Sequence, residues 1–181
     1  ILGKANLSEW ANFLCLECPN GYSAMGGQTL NPYGRKKFDT GGSSSGSASS
    51  VAANYAAAAV GTETSGSILS PSSSNSIVGL KPTTGLLSRS GIVPLSSTLD
   101  TPGPMTKNVI DSAILVSVMT GEDSADPVTE NSPKANKKYW EELQTASLKG
   151  VRFGVNKTFL KDSIYKLNVA KIVALGGIAI E

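Results

Sequence analysis

Two clusters of glycine and serine flank an alanine-rich segment, and this arrangement constrains the fold more than any other feature of the chain. The first cluster is residues 41–47 (GGSSSGS) and the second is residues 61–67 (GTETSGS). Ser43 and Ser67 lie 24 residues apart, and residues 48–60 between them are predicted to form one buried helix. A turn, a helix and a second turn can therefore return two serine hydroxyls to one site.

The chemistry open to these serines is limited by the absence of histidine from the chain. A serine hydroxyl is a weak nucleophile at neutral pH and needs a base. Residues 42–46 match the Gly-x-Ser-x-Gly turn of α/β-hydrolases, but that motif requires a preceding strand and a later histidine. Ser-x-x-Lys at residues 163–166 stands without its companion motifs. The remaining option is a neutral lysine acting through a second serine, with Ser43 and Ser67 as the natural pair.

Charge and hydropathy exclude several classes of partner. Sixteen Lys and Arg against fourteen Asp and Glu leave a net charge of +2, so neither a nucleic acid nor a membrane surface is predicted as a partner. No apolar run reaches the length of a membrane span, and no secretory segment is visible, so a cytoplasmic protein is expected. Cys15 and Cys18 have the spacing of half a zinc site without the other ligands, so we predict no metal and two reduced thiols.

Predicted strands alternate with predicted helices, which indicates an α/β fold. The strands fall at residues 1–5, 77–80, 151–155 and 176–181, and the helices at residues 8–13, 44–59, 107–119 and 161–174. The regions around residues 19–40 and 82–104 are rich in turn-forming residues and are expected to be irregular. The chain starts without methionine and ends inside a predicted strand. We therefore expect residues 1–181 to form a single incomplete domain, truncated at both ends.

Five motifs, in this order along the chain, resemble the amidase signature family. They are GQTLNP at 27–32, GGSS at 41–44, GTETxGSI at 61–68, GLKPT at 79–83 and LDxPGP at 99–104. The resemblance covers most of residues 1–127. Within the family, the first twelve residues look most similar to the bacterial peptide amidases.

The resemblance implies a Ser-Ser-Lys triad on a mixed, largely parallel sheet wrapped by helices, with no metal and no organic cofactor. Ser67 would be the nucleophile, and Ser43 would be the relay serine, following a cis peptide bond after Gly42. The family's lysine would lie upstream of Ile1, so the chain alone is expected to be inactive. The oxyanion and substrate-binding positions that the resemblance implies are Thr64, Ser65, Gly66, Gly42 and Ser44, with the backbone N–H of Ser67.

The implied reaction is hydrolysis of a carboxamide C–N bond through an acyl-enzyme on Ser67, with a small-molecule or peptide amide as substrate. Ser65 and Leu69 stand where many family members carry glycine and arginine, and Leu69 argues against a charged group at that point. Two alternatives remain open. One is the A-type subunit of the amidotransferase that makes glutamine on transfer RNA, with its partner subunit. The other is a catalytically inactive remnant or binding module.

Overall fold

Residues 1–14, 17–133 and 137–181 are described by the structure, a computed structural model. The chain divides into two units, Ile1–Trp140 and Glu141–Glu181. The described residues of the first unit form both strands and helices, which confirms the α/β class. Its regular elements are β1 (Tyr22–Ser23), β2 (Gly27–Gln28), α1 (Ser45–Ala52), β3 (Ala58–Glu63), α2 (Leu69–Ser74), β4 (Val78–Gly79), β5 (Thr101–Thr106) and α3 (Val109–Met119).

The main sheet of the first unit has the strand order β3-β5-β4, and both pairings are antiparallel. Strand β3 pairs with β5 over its whole length, from Ala58 opposite Thr106 to Glu63 opposite Thr101. A separate antiparallel pair is formed by β1 and β2. The expected predominance of parallel strands therefore does not extend to the strands of this unit.

The central strand β5 contains Pro102-Gly103-Pro104, which the sequence analysis assigned to a turn-rich region, and that assignment is wrong. Every residue of β5 is buried. Leu80 donates its N–H to the carbonyl of Pro104 at 3.1 Å, so the backbone polar groups of Pro104 face β4. Pro102 is two residues earlier and faces the same side. The missing proline N–H groups therefore remove no hydrogen bond from the longer ladder with β3.

The helix predicted over residues 44–59 ends early, because α1 stops at Ala52 and residues 58–59 belong to β3. Asn54 takes a left-handed backbone conformation, with φ +64°, and asparagine tolerates this better than most residues. The strand predicted at residues 1–5 is absent. In place of the helix predicted at residues 8–13, the chain forms a 3₁₀ turn over Glu9–Asn12.

The core of the first unit forms where α1 and α2 pack on the sheet. Ala48, Ile68 and Met105 are fully buried together, with Ile77 against them. Gly61 in β3 permits the close approach of α1, because a Cβ there would lie 2.6 Å from the sulfur of Met105 and 2.9 Å from the hydroxyl of Ser44. The small residues of the two clusters therefore fit a narrow space between helix and sheet.

The later helices and strands follow the sequence prediction more closely. Helix α3 is capped by Asn108, which accepts the N–H of Asp111 at 2.9 Å, rather than by Thr106 as expected. A 3₁₀ turn follows at Pro127–Thr129. Helix α4 (Tyr139–Leu143) contains the boundary between the two units.

The second unit is a parallel pair of strands joined through a helix, which confirms the predicted strand, helix and strand. Strands β6 (Arg152–Gly154) and β7 (Ile178–Ile180) are connected by a 3₁₀ turn (Lys157–Lys161) and α5 (Ser163–Ala174). Asp162 caps α5 by accepting the N–H of Tyr165 at 2.7 Å. No residue of α5 is buried.

Two expectations concern the chain as a whole. Cys18 is disulfide-bonded, so the expectation of a reduced thiol at this position is wrong, while Cys15 lies outside the described residues. Among the helices in the described ranges, none combines the length and the apolar character that crossing a membrane requires.

Candidate active site

The first cluster carries a cis peptide bond between Gly42 and Ser43, as the resemblance implied. Ser43 is buried, with 2% of its surface exposed. Its carbonyl oxygen accepts the N–H of Ser8 at 3.0 Å and the N–H of Ser45 at 2.8 Å. Two backbone hydrogen bonds therefore hold the carbonyl group of the expected relay serine in place.

Only glycine fits at position 42. A Cβ there would lie 2.6 Å from Oδ1 of Asn20, 2.7 Å from Oγ of Ser8 and 2.9 Å from Nδ2 of Asn12. These side chains belong to a hydrogen-bonded wall, since Asn12 donates to Asn20 at 2.8 Å and Asn20 donates to the carboxylate of Asp39 at 3.0 Å. The cis bond therefore lies against a tightly packed polar surface.

Ser44 joins the two clusters. Its N–H donates to the carbonyl oxygen of Ser67 at 3.1 Å. Its hydroxyl donates to the carbonyl of Thr62 and accepts the N–H of the same residue, both at 3.1 Å. The structure thus places the backbone of Ser67 next to the residue that follows Ser43.

The segment between β3 and α2, residues 64–67, presents unused backbone donors. In the described part of the chain, the N–H groups of Thr64, Ser65, Gly66 and Ser67 donate to no protein acceptor. Ser65 is exposed, and a Cβ at Gly66, where φ is +84°, would meet nothing within 4 Å. Free donors beside open space are what stabilisation of an oxyanion requires. We call residues 64–67 the donor loop.

Glu63 is a site residue to which the sequence analysis assigned no role. Its side chain is buried, with 4% exposed. One carboxylate oxygen, Oε2, accepts the N–H of Ile68 at 2.7 Å and that of Leu69 at 2.9 Å. The only sequence signal is an acidic residue shortly before a helix start, where negative charge is favourable.

Asp100 holds the other side of the donor loop and also received no role from the sequence. Its Oδ1 accepts the hydroxyl of Thr64 at 2.5 Å. Its Oδ2 accepts the N–H groups of Leu95 and Ser96 at 2.7 and 2.8 Å. Burial raises the pKa of the Asp100 carboxyl, but the hydrogen bonds from Thr64, Leu95 and Ser96 outweigh burial and leave the pKa below its ordinary value.

A cavity of about 220 Å³ lies beside Asp100, and an ion pair forms part of its lining. Arg89 donates to both carboxylate oxygens of Asp126, at 2.9 Å from Nε and 2.8 Å from Nη2, and its Nη1 donates to the carbonyl of Ser97. The hydrogen bond from Arg89 lowers the pKa of Asp126 well below its usual range. The polar groups of this pair are thus already used within the protein.

Two lysines of the first unit use their ammonium groups away from Ser43 and Ser67. Lys81 donates to the carbonyl of Leu99 at 3.2 Å, and Lys107 contacts the side chain of Asn54.

Comparison with known proteins gives consistent matches. The model of the Amidase family matches residues 1–173. A probable amidase of Arabidopsis thaliana is 48% identical over 159 residues, which are 86% of this chain and 30% of that protein. A glutamyl-tRNA(Gln) amidotransferase subunit of Lawsonia intracellularis is 42% identical over 164 residues, 91% of this chain and 32% of that protein.

Among solved structures, the native peptide amidase of Stenotrophomonas maltophilia matches with a TM-score of 0.90 and 44% identity, covering 98% of this chain and 37% of that chain. An amidase family protein of Bacillus anthracis matches with a TM-score of 0.90 and 46% identity, covering 99% of this chain and 37% of that chain. The chain thus spans about a third of the length of these relatives.

Proposed function

Because the chain belongs to the amidase family, we propose that it carries the serine part of an active site that hydrolyses the C–N bond of a carboxamide. The observation that supports this most strongly is the contact between a buried serine segment and a loop of free donors. Ser43 is buried, and the next residue holds the carbonyl of Ser67. The activity is proposed for the full-length protein in which these residues occur.

In the proposed mechanism, Ser67 attacks the carbonyl carbon of the amide and loses its hydroxyl proton to Ser43. Ser43 passes its own proton to a lysine, which we propose is supplied from outside residues 1–181. The negative oxygen of the tetrahedral intermediate accepts hydrogen bonds from the donor loop. Collapse of this intermediate breaks the C–N bond, and the nitrogen leaves as ammonia or an amine after accepting the proton returned through Ser43.

The second half of the reaction repeats these roles with water. A water molecule attacks the ester carbonyl of the acyl-enzyme and gives its proton to the Ser43–lysine pair. The ester bond breaks, the carboxylic acid departs and Ser67 recovers its proton. Every proton passes between groups of the protein and the reactants.

The proposed substrate is a neutral carboxamide, either a small molecule or a peptide. The likeness to the peptide amidase of S. maltophilia supports this class, and Leu69, exposed at the start of α2, offers no charge to an acidic substrate. The likeness to an amidotransferase keeps transfer of ammonia from glutamine as the competing function.

The test uses the full-length protein with Ser67→Ala and Ser43→Ala, and with Ser73→Ala at an exposed serine in α2 as the matched control. We expect Ser67→Ala to reduce amide hydrolysis by about 10⁴-fold or more and to abolish labelling by a fluorophosphonate. The control should leave both unchanged. Full activity in Ser67→Ala would refute the proposal, and ammonia release from glutamine alone would favour the amidotransferase.

A further inference from the structure

The backbone donors around Ser67 divide sharply into two groups. The four N–H groups of the donor loop have no acceptor among the described residues. The next two, from Ile68 and Leu69, both point to a single oxygen of Glu63. One side chain therefore marks the boundary between donors used inside the protein and donors left for a ligand.

We propose that Glu63 is a positioning residue that sets the direction of the donor loop in the proposed amidase. Its carboxylate draws the start of α2 back toward the end of β3, so the chain between them must curve. The N–H groups within the curve then turn away from Glu63 and toward the open side above Gly66. This inference rests on the proposed function, because the donors matter only if an oxyanion forms.

A simple helix cap would explain less of what is observed at Glu63. Helix α2 has only six residues and an unaided turn of this length gains little stability by itself. Burying a carboxylate is costly unless hydrogen bonds compensate, and Glu63 forms no ion pair with a cation of the described residues. A serine at the N-cap position, now occupied by Ile68, would cap the helix without a buried charge.

Other contacts of the donor loop hold two of its carbonyl groups and one hydroxyl, and none of them engages its N–H groups. The carbonyl of Ser67 accepts the N–H of Ser44, and the carbonyl of Gly66 accepts the N–H of Ser70 at 2.7 Å. The hydroxyl of Thr64 donates to Asp100. Two carbonyl groups and one hydroxyl of the loop are thus held by the protein, whereas its four N–H groups donate to no acceptor among the described residues.

The contact geometry indicates that Glu63 acts as a hydrogen-bond acceptor of the correct length rather than as a charge. Because a single oxygen accepts both N–H groups, the amide oxygen of a glutamine can replace it. Aspartate keeps the charge but is one methylene shorter, so its carboxylate cannot reach both donors. Alanine provides no acceptor and leaves the N–H groups of Ile68 and Leu69 unpaired.

The experiment measures kcat and KM of the full-length protein with Glu63→Ala, Glu63→Asp and Glu63→Gln on an amide that the wild type hydrolyses. Glu130→Gln, at an exposed glutamate, is the control. We expect Glu63→Ala and Glu63→Asp to lower kcat by about 10- to 100-fold, somewhat less than the complete loss of an oxyanion donor. KM should change little, and binding of the aldehyde analogue of that substrate should weaken by the same factor as kcat. Glu63→Gln should stay within about threefold of the wild type.

Each result decides between the inference and a merely structural role. If Glu63→Gln is folded and loses as much kcat as Glu63→Ala, the acceptor geometry does not matter and the inference is wrong. The inference is equally wrong if kcat is unchanged in Glu63→Asp, or if the substitutions at Glu63 change only KM. If Glu63→Ala does not fold, the Asp and Gln variants still separate the outcomes. Full activity of Ser67→Ala would instead refute the proposed function itself.

Discussion

The first glycine-serine cluster, residues 41–47, is packed on every side, whereas the second, residues 61–67, is packed only along strand β3. Five of the seven residues of the first cluster are buried, and its glycine at position 42 has three polar atoms within 3 Å of an added Cβ. In the second, the glycine at position 66 has open space at the same distance. The same small residue types therefore have different uses. In the first cluster they allow neighbouring side chains to pack closely, and in the second, under the proposed mechanism, they leave room for the carbonyl of a substrate.

In the proposed mechanism, this difference separates the roles of the two serines. Ser43 lies in the rigid cluster, where a proton relay must hold one position between two partners. Ser67 ends the open loop, where a nucleophile must meet a substrate. A site of this kind needs one fixed and one accessible component, and the structure divides them between two segments that Ser44 connects.

The substitution Gly42→Ala tests most directly whether the first cluster is rigidly packed. The added methyl group meets Asn20, Ser8 and Asn12 at 2.6–2.9 Å, so the wall must shift. We expect the free energy of unfolding to fall by about 3 kcal/mol and amide hydrolysis to be lost. Urea denaturation of the full-length protein measures the first quantity. A stable, active Gly42→Ala variant would show that the first cluster is not rigid.

Ser44→Ala tests the connection between the clusters. The substitution removes the two side-chain hydrogen bonds with Thr62 and leaves the backbone bond to Ser67 in place. Because the carbonyl and N–H of Thr62 lose these partners, we expect a loss of about 2 kcal/mol in the free energy of unfolding and a clear reduction in kcat. Ser50→Ala, within the same helical segment, is the control. Equal stability of the two variants would contradict this interpretation.

Gly66→Ala is the counterpart of Gly42→Ala in the open cluster. No atom obstructs the methyl group, but φ at this position is +84°, where an L-residue costs about 1–2 kcal/mol. We therefore expect a smaller loss of stability than for Gly42→Ala. We also expect kcat to fall in the folded variant, because the added methyl group would face the carbonyl group of the substrate. Thermal unfolding and steady-state kinetics together test this. A stability loss equal to that of Gly42→Ala would remove the contrast between the clusters.

Acid should weaken the contact between Asp100 and the donor loop. Because the pKa of Asp100 is lowered in the folded protein, its contribution to stability is present above the unfolded-state pKa of about 3.9 and is lost as pH falls through the folded pKa. We expect the free energy of unfolding, measured with urea, to fall more between neutral pH and about pH 3 in the wild type than in Asp100→Asn. Parallel pH dependence in the two proteins would contradict the assignment.

The sequence predicted the later helices and strands well and the central strands poorly. Helices α3 and α5 have apolar periodicity and a capping side chain nearby, which are local signals. Strands β3 and β5 contain alanine, glycine and proline, which local propensity places in helices and turns. Each of these two strands is stabilised by pairing with the other across some forty residues of sequence, and no local pattern records that pairing.

The sequence by itself determined the family, and it predicted the two serines and the donor loop, because these depend on residue type and spacing along the chain. Only the tertiary structure decided that Asp100 bonds to the first residue of the donor loop and Glu63 to the two residues that follow it. Their partners are backbone N–H groups and a hydroxyl that many sequences could provide. A hydrogen bond to the main chain leaves little trace in the sequence of the partner, so such contacts become visible only when the fold brings the groups within bonding distance.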